Sequence, residues 1–222
     1  MKTASEQSCW SSVKKIMGNK HILLGPLLSY QFTNSPRRIL YSLSYYKFAA
    51  KLIGYGKKVI DIGCGEGLGT WLLAVECGQS EGIDFDQKNI EVAKKNWGND
   101  NITFKCANFI RLTSKLYDAA VSIDVVEHIL PKNASKFFQK ITNCLTDEGI
   151  AIIGTPNINA EKHSSRITRV GHVNIYSGER LKNEMLRYFS NVFILGANDE
   201  VVHTGYLPMS QYLIAIGCCK RK

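Results

Sequence analysis

Apolar positions along this chain switch between two periods. Ile39, Leu40, Leu43, Tyr46, Ala50 and Ile53 recur at helical spacing behind Ser35-Pro36, a cap residue with proline at the first helical position, and Gly54 closes the run. From Lys57 onward, short β-branched runs alternate with amphipathic stretches. Val59, Ile60 and Ile62 form an apolar run with no polar alternation, as a strand covered on both faces requires. Strands are expected near 58–62, 80–84, 101–106, 118–123, 149–154, 191–196 and 210–218, with helices near 68–77, 86–97, 131–145 and 177–189. Trp71, Leu72, Leu73 and Val75 should supply the apolar face of the first of these helices. This alternation implies an α/β fold, a mainly parallel sheet with helices on both faces. Residues 1 to about 34 are weakly periodic and read as loop with one short helix. A basic helical extension or cap over 1–56 thus precedes one domain over 57–222.

The first strand runs into Gly63, Gly65 and Gly67, where the backbone must turn sharply and come close to something. A helix starting there presents unpaired N–H groups and a positive dipole end. The spacing does not fit the G-x-G-x-x-G of a nicotinamide-dinucleotide site, because Leu68 or Thr70 falls at the third glycine. Asp61 sits just ahead of the turn. A carboxylate facing the ligand is wrong beside a pyrophosphate and right beside an ammonium or sulfonium cation. Asp84 ends the next strand, where an acid can accept both hydroxyls of a ribose.

The D-x-G-x-G-x-G turn, Asp84, the helix DQKNIEVAKKN and the segments ITFKCANF and YDAAVSIDVVEHI, in that order, resemble the class I S-adenosylmethionine-dependent methyltransferases. The resemblance covers Lys57 to Thr155. It implies a Rossmann-like seven-stranded sheet of order 3-2-1-4-5-7-6 with the last strand antiparallel, and S-adenosylmethionine as cofactor, leaving S-adenosylhomocysteine. It also implies a binding crevice formed by Asp61, Gly63, Cys64, Gly65, Gly67, Asp84, Phe85, Ala107, Asn108, Phe109 and Asp124. The family often carries Asp where this chain has Asn108, so an amide carbonyl must accept from the adenine amino group.

The fourth strand discriminates between reactions. Asn/Asp-Pro-Pro-Tyr/Phe, typical of amino-methylating enzymes, and a Pro-Cys nucleophile are both absent. Asp124-Val125-Val126-Glu127-His128-Ile129 is similar instead to the ubiquinone-biosynthesis O-methyltransferases and their relatives. Were Asp124 to begin a helical turn, His128 would lie on the same face four residues on. His128 is one candidate base or a structural polar residue. His172, at a Gly-His turn before a late helix, is the second. Glu127 could orient His128. Weaker substrate candidates are Arg38 and Tyr46 on the cap helix, and Arg166 and His203 in loops that could close over substrate. Arg169 could, like Arg166, meet an anionic substrate, a solvated lid being the alternative for both; Tyr30, Tyr45, Lys47 and His163 read as packing or surface residues with less claim.

Charge changes the picture. The chain carries 28 Lys and Arg against 19 acids. Residues 1–58 hold ten of the bases and a single acid, Glu6, so the whole excess of +9 lies ahead of the first core strand. That asymmetry suits a phosphorylated or nucleotide-linked acceptor, an acidic membrane surface touched peripherally, or nucleic acid; a solvated basic face is the alternative. Nucleic acid is disfavoured for want of an amino-methylating motif. No apolar run approaches the ~20 residues of a membrane span, and MKTASEQSCWSS is not a signal peptide, so a cytoplasmic protein is expected. Seven cysteines without metal spacing read as reduced thiols, and no acidic cluster suggests a metal. The sequence therefore reads as an enzyme that O-methylates a small molecule, such as a sugar, lipid or quinone intermediate. N-methylation of a small amine, or a non-catalytic nucleotide- or partner-binding role, are its alternatives.

Overall fold

The computed structural model describes residues 5–19, 21–112 and 116–221. Its strands are β1 (Lys57–Ile62), β2 (Gly78–Asp84), β3 (Ile102–Cys106), β4 (Tyr117–Ile123), β5 (Leu145–Pro156), β6 (Phe189–Asn198), β7 (Val201–His203) and β8 (Tyr212–Lys220). They form one sheet in the order β3-β2-β1-β4-β5-β8-β6-β7. β1 to β5 pair in parallel and β8 runs antiparallel to both β5 and β6. The seven expected strands thus take the expected order, and the count is corrected to eight by three-residue β7 on the edge of β6. So short a strand carries no periodicity to read.

Alternation along β1 divides the core. Val59 joins one apolar cluster with Tyr45, Tyr46, Ala49, Leu73 and Ile152, whereas Ile60 and Ile62 join another with Phe137, Phe138, Leu181 and Met185. Both faces are therefore covered, as a parallel sheet demands. The helices are α1 (Glu6–Met17), α2 (Pro26–Asn34), α3 (Pro36–Ile53), α4 (Leu68–Cys77), α5 (Gln87–Trp97), α6 (Pro131–Asn143), α7 (Arg166–Gly171) and α8 (Gly178–Met185). Two helices, not one, occupy the segment before Ser35, and the polar connection after β5 contains the extra helix α7. On α4 the buried side is Gly69, Thr70, Leu73, Ala74 and Cys77. Val75 is exposed and Trp71 lies outside, stacked on Trp97 at 5.0 Å, because α3 covers the opposite face. All seven cysteines are free thiols.

Candidate active site

The turn after β1 is built from its glycines. Gly63, Gly65 and Gly67 all have positive φ (77°, 52° and 82°). At Gly63 a β-carbon would stand 2.3 Å from Val125 of the segment after β4, so bare backbone is what lets the ends of β1 and β4 approach. Gly69, the second residue of α4, is bare for the same reason: a β-carbon would meet the Tyr46 ring at 2.2 Å. Asp84, at the end of β2, holds the turn from below, accepting from the Gly65 N–H at 2.9 Å with one oxygen and from the Asp86 N–H at 2.8 Å with the other. Each oxygen keeps a lone pair for a ligand hydroxyl. Phe85 beside it is 82% exposed, an open ring suited to stacking a base.

Asp61 is corrected. Its carboxylate does not face the crevice but is fully buried, accepting from the Thr70 hydroxyl at 2.6 Å and the Tyr46 hydroxyl at 3.1 Å. Burial pushes its carboxyl up to about 7 against the lowering pull of those hydroxyls. It acts on the crevice through Tyr46, which lines the cavity. Cys64 is also buried, its thiol pushed far up by burial and by Asp61, and is chemically inert. Ala107 is half-buried behind Asp84, its N–H given to the Asp84 carbonyl at 2.8 Å. Asn108 is exposed, but its side-chain oxygen caps the next turn through the Ile110 N–H. The Phe109 ring turns away into the core, edge-on to Phe137 at 5.9 Å, so it offers no face to a ligand.

Residues absent from the sequence reading close the crevice. Glu66, 2% exposed between two glycines, accepts from the N–H groups of Gly25 at 2.9 Å, Leu27 at 2.7 Å and Leu28 at 3.3 Å. It caps the start of α2, where Gly25 offers no side chain for the purpose. Asn96 pairs with the Leu23 backbone through both ends of its amide, at 3.0 and 2.7 Å. Together they strap residues 23–28 across the glycine turn. Their only sequence signal was an acid inside a glycine turn.

At the end of β4 the chain does not make the helical turn expected from Asp124. Asp124 takes a left-handed conformation (φ 57°) and a 3-10 turn covers Val126–His128. Its carboxylate lies 3.7 Å from the Arg38 guanidinium of α3. Glu127 is fully buried; one oxygen accepts from the Thr155 hydroxyl at 2.9 Å and the other has no partner. Burial and neighbouring Asp124 push its carboxyl up to about 8. His128 is exposed, its Nδ1 2.8 Å from the Gly171 carbonyl, which can only accept. Nδ1 therefore carries the proton and Nε2 keeps its lone pair. His172 meets it edge-on, ring centres 4.9 Å apart, and burial followed by His128 lowers it to about 4. Glu127, His128 and His172 each offer a ligand atom within 4.8 Å of the others. A buried acid with an unpartnered oxygen and two imidazoles form a donor set that suits a divalent transition-metal ion, counter to the sequence expectation.

Two cavities meet here. The smaller, about 210 Å³, lies over Gly63, Cys64 and Gly65 and is walled by Tyr46, Leu28 and Asp124. The larger, about 740 Å³, lies between α2 and the α7 connection and includes Arg169, His172, Asn157 and Thr168. Leu27, Gln31, Arg38 and His128 line both, so His128 stands where they join. A shallower hollow of about 870 Å³ beside Met209 shares Arg169 and Glu161 with the larger cavity but has neither the turn nor the histidines. Arg166 is exposed at the start of α7 and lines none of these cavities. His203 is not brought in: it sits on edge strand β7, its ring nitrogens engaged by Asn198 at 3.4 Å and the Gly205 N–H at 3.1 Å. The side chain of His163 lies outside the described residues.

The model of a methyltransferase domain family matches residues 53–191. A ubiquinone biosynthesis O-methyltransferase of Rickettsia canadensis is 31% identical over 120 residues, 51% of this chain and 47% of that protein. The chain spans less than half the length of the curated relatives it matches. Among solved structures, a SAM-dependent methyltransferase of Thermotoga maritima superposes with a TM-score of 0.67 at 15% identity, covering 87% of this chain and 94% of that one. The 1,6-didemethyltoxoflavin-N1-methyltransferase of Burkholderia thailandensis, with S-adenosylhomocysteine bound, gives 0.63 at 13% identity, covering 100% and 93%. At such identities the likeness is one of fold.

Proposed function

The chain belongs to the methyltransferase domain family, whose methyl donor is S-adenosylmethionine, and we propose that it O-methylates a small, anionic hydroxyl compound. The carrying observation is His128, with a free Nε2, at the junction of a glycine-floored cavity and a larger polar one. The residues of the smaller cavity fit the donor. Gly65 leaves open floor, with Leu27 no nearer than 3.4 Å to an added β-carbon. Asp84 and Phe85 stand outside the lining of that cavity, with Asp84 bonded to its Gly65 floor; the spare lone pairs of Asp84 suit vicinal hydroxyls, and the open ring of Phe85 suits a purine face. When bound, the donor would supply a sulfonium methyl, to which an in-line nucleophile bonds as the methyl–sulfur bond breaks and S-adenosylhomocysteine leaves. The protein's share is alignment, for which effective molarities correspond to ~7–11 kcal/mol, and removal of one proton. His128 takes that proton on Nε2, while the Gly171 carbonyl fixes the ring and stabilises the charge gained at Nδ1–H. Arg38 and Arg169 line the acceptor cavity and favour a phosphate or carboxylate on the acceptor.

A second reading is favoured by the unpartnered Glu127 oxygen. Glu127, His128 and His172 would together hold a divalent cation, whose chemistry there would be to lower the acceptor hydroxyl's pKa in place of a histidine base. The test is turnover of labelled donor against phosphorylated sugars, quinols and phenols, with and without chelator. His128→Ala should cut kcat by about 10²–10⁴-fold with donor affinity unchanged. Turnover within threefold of the parent protein would overturn the assignment, and loss of turnover on chelation alone would select the metal reading.

A further inference from the structure

The helix α1 contributes nothing to the core. None of its residues is buried, although Ser5 caps its start and Gly18 ends it. At helical spacing Cys9, Trp10, Val13, Ile16 and Met17 fall on one stripe, with Ile16 87%, Met17 69% and Trp10 56% exposed. Lys14 borders that stripe on one side and Ser12 on the other, while Lys15 falls on the opposite, polar face with Gln7, Ser8 and Ser11. Glu6, at the amino-terminal end, is the one acid in the first 58 residues, against ten bases. Beyond Gly18 the apolar display continues through Ile22, Leu23, Leu24 and Leu27, all exposed. Asn96 holds the Leu23 backbone and Glu66 those of Gly25 and Leu27, so Ile22, Leu23 and Leu24 are displayed on an anchored strap while Leu27 reaches over Gly65.

We propose that α1 and the strap form a docking surface for an anionic lipid bilayer. Twelve residues are too few to cross a membrane, for which ~20 are needed, and no described helix is long and apolar enough to do so. An apolar stripe on a basic helix lies instead in the interface plane, with the chains of the stripe in the acyl boundary, Lys14 at its edge among anionic headgroups and Lys15 adding to the attraction from the polar face. Charge selects this occupant over a second copy, since two such segments would bring like charges together. Leu27 belongs to the strap and also lines both cavities, so docking sets the mouth of the site against the bilayer, where an amphipathic acceptor can enter. The docking itself stands apart from the methylation reading and is tested by binding alone.

The experiment is co-sedimentation of the full chain with vesicles of phosphatidylcholine, or of phosphatidylcholine and phosphatidylglycerol in equal parts, at low and high salt. Binding is expected to the anionic vesicles only and to weaken with salt. The pairs Ile16→Asp/Met17→Asp and Lys14→Glu/Lys15→Glu should each lower it about tenfold or more, while helix content and S-adenosylmethionine binding stay unchanged. Failure to bind anionic vesicles, equal binding to neutral ones, or full binding by either variant overturns the proposal. So does a dimer of the parent chain that Ile16→Asp/Met17→Asp disperses, which would assign the face to a second copy.

Discussion

Glu66 is the clamp on the crevice, and its removal gives a measurable number. Its carboxylate takes two N–H bonds at 2.9 and 2.7 Å and shares a third at 3.3 and 3.4 Å. Hydrogen bonds to a charged group contribute ~1.5–3 kcal/mol each net. Gly25 and Leu28 are buried and Leu27 is not, so the released amides are hydrated only as the strap opens; the low end for the two good bonds, with nothing added for the shared one, is a floor. The strap over 23–28 should then open more easily by about 3 kcal/mol, roughly a hundredfold. Native-state hydrogen exchange of the Gly25, Leu27 and Leu28 amides reads this directly. Glu66→Gln, which keeps one acceptor oxygen, should fall between. Gly25→Ala supplies an independent check, since its β-carbon would stand 2.5 Å from Glu66 Oε1 and push the carboxylate out. Exchange at these amides within threefold of the parent protein in Glu66→Ala would refute the clamp.

Asp84→Ala removes both the spare lone pairs for ribose hydroxyls and the support of the Gly65 N–H, and should raise the S-adenosylmethionine Kd by about tenfold or more, read by calorimetry; an unchanged Kd would remove the assignment. Stability should fall as pH rises from 6.5 to 8.5 in chelator-containing buffer. Asp61 and Glu127 have carboxyls raised to about 7 and about 8 in the folded chain, so over this window the folded state holds protons the unfolded state has lost. With ~1.4 kcal/mol per pH unit per group, acting on Asp61 over about half a unit and on Glu127 over about one and a half, the combined loss is about 3 kcal/mol. His172, lowered to about 4, works the other way but only below its ordinary value of 6.5. A melting temperature that is level or rising across that range would contradict the burial argument, and Asp61→Asn should flatten the early part of the fall.

Periodicity alone determined most of the sheet. A β-branched run without polar alternation can only be a strand covered twice, and three glycines behind it can only serve a tight, close-approach turn. The short-range rules therefore sufficed for β1 to β6 and β8, for α3 and for the D-x-G-x-G-x-G crevice. Tertiary structure decided what those rules do not carry. Asp61 was legible as an acid ahead of the turn, but α3 brings Tyr46 across Gly69 and seals its carboxylate beneath the floor. Glu66 became a helix cap because residues 25–28, some forty positions earlier, fold back over it. His128 and His172, separated by a strand and a long connection, meet only because α7 returns its last carbonyl to Nδ1 of His128. Hydrogen bonds and burial between distant segments have no local signature, so pattern located the crevice and packing alone settled which groups reach it.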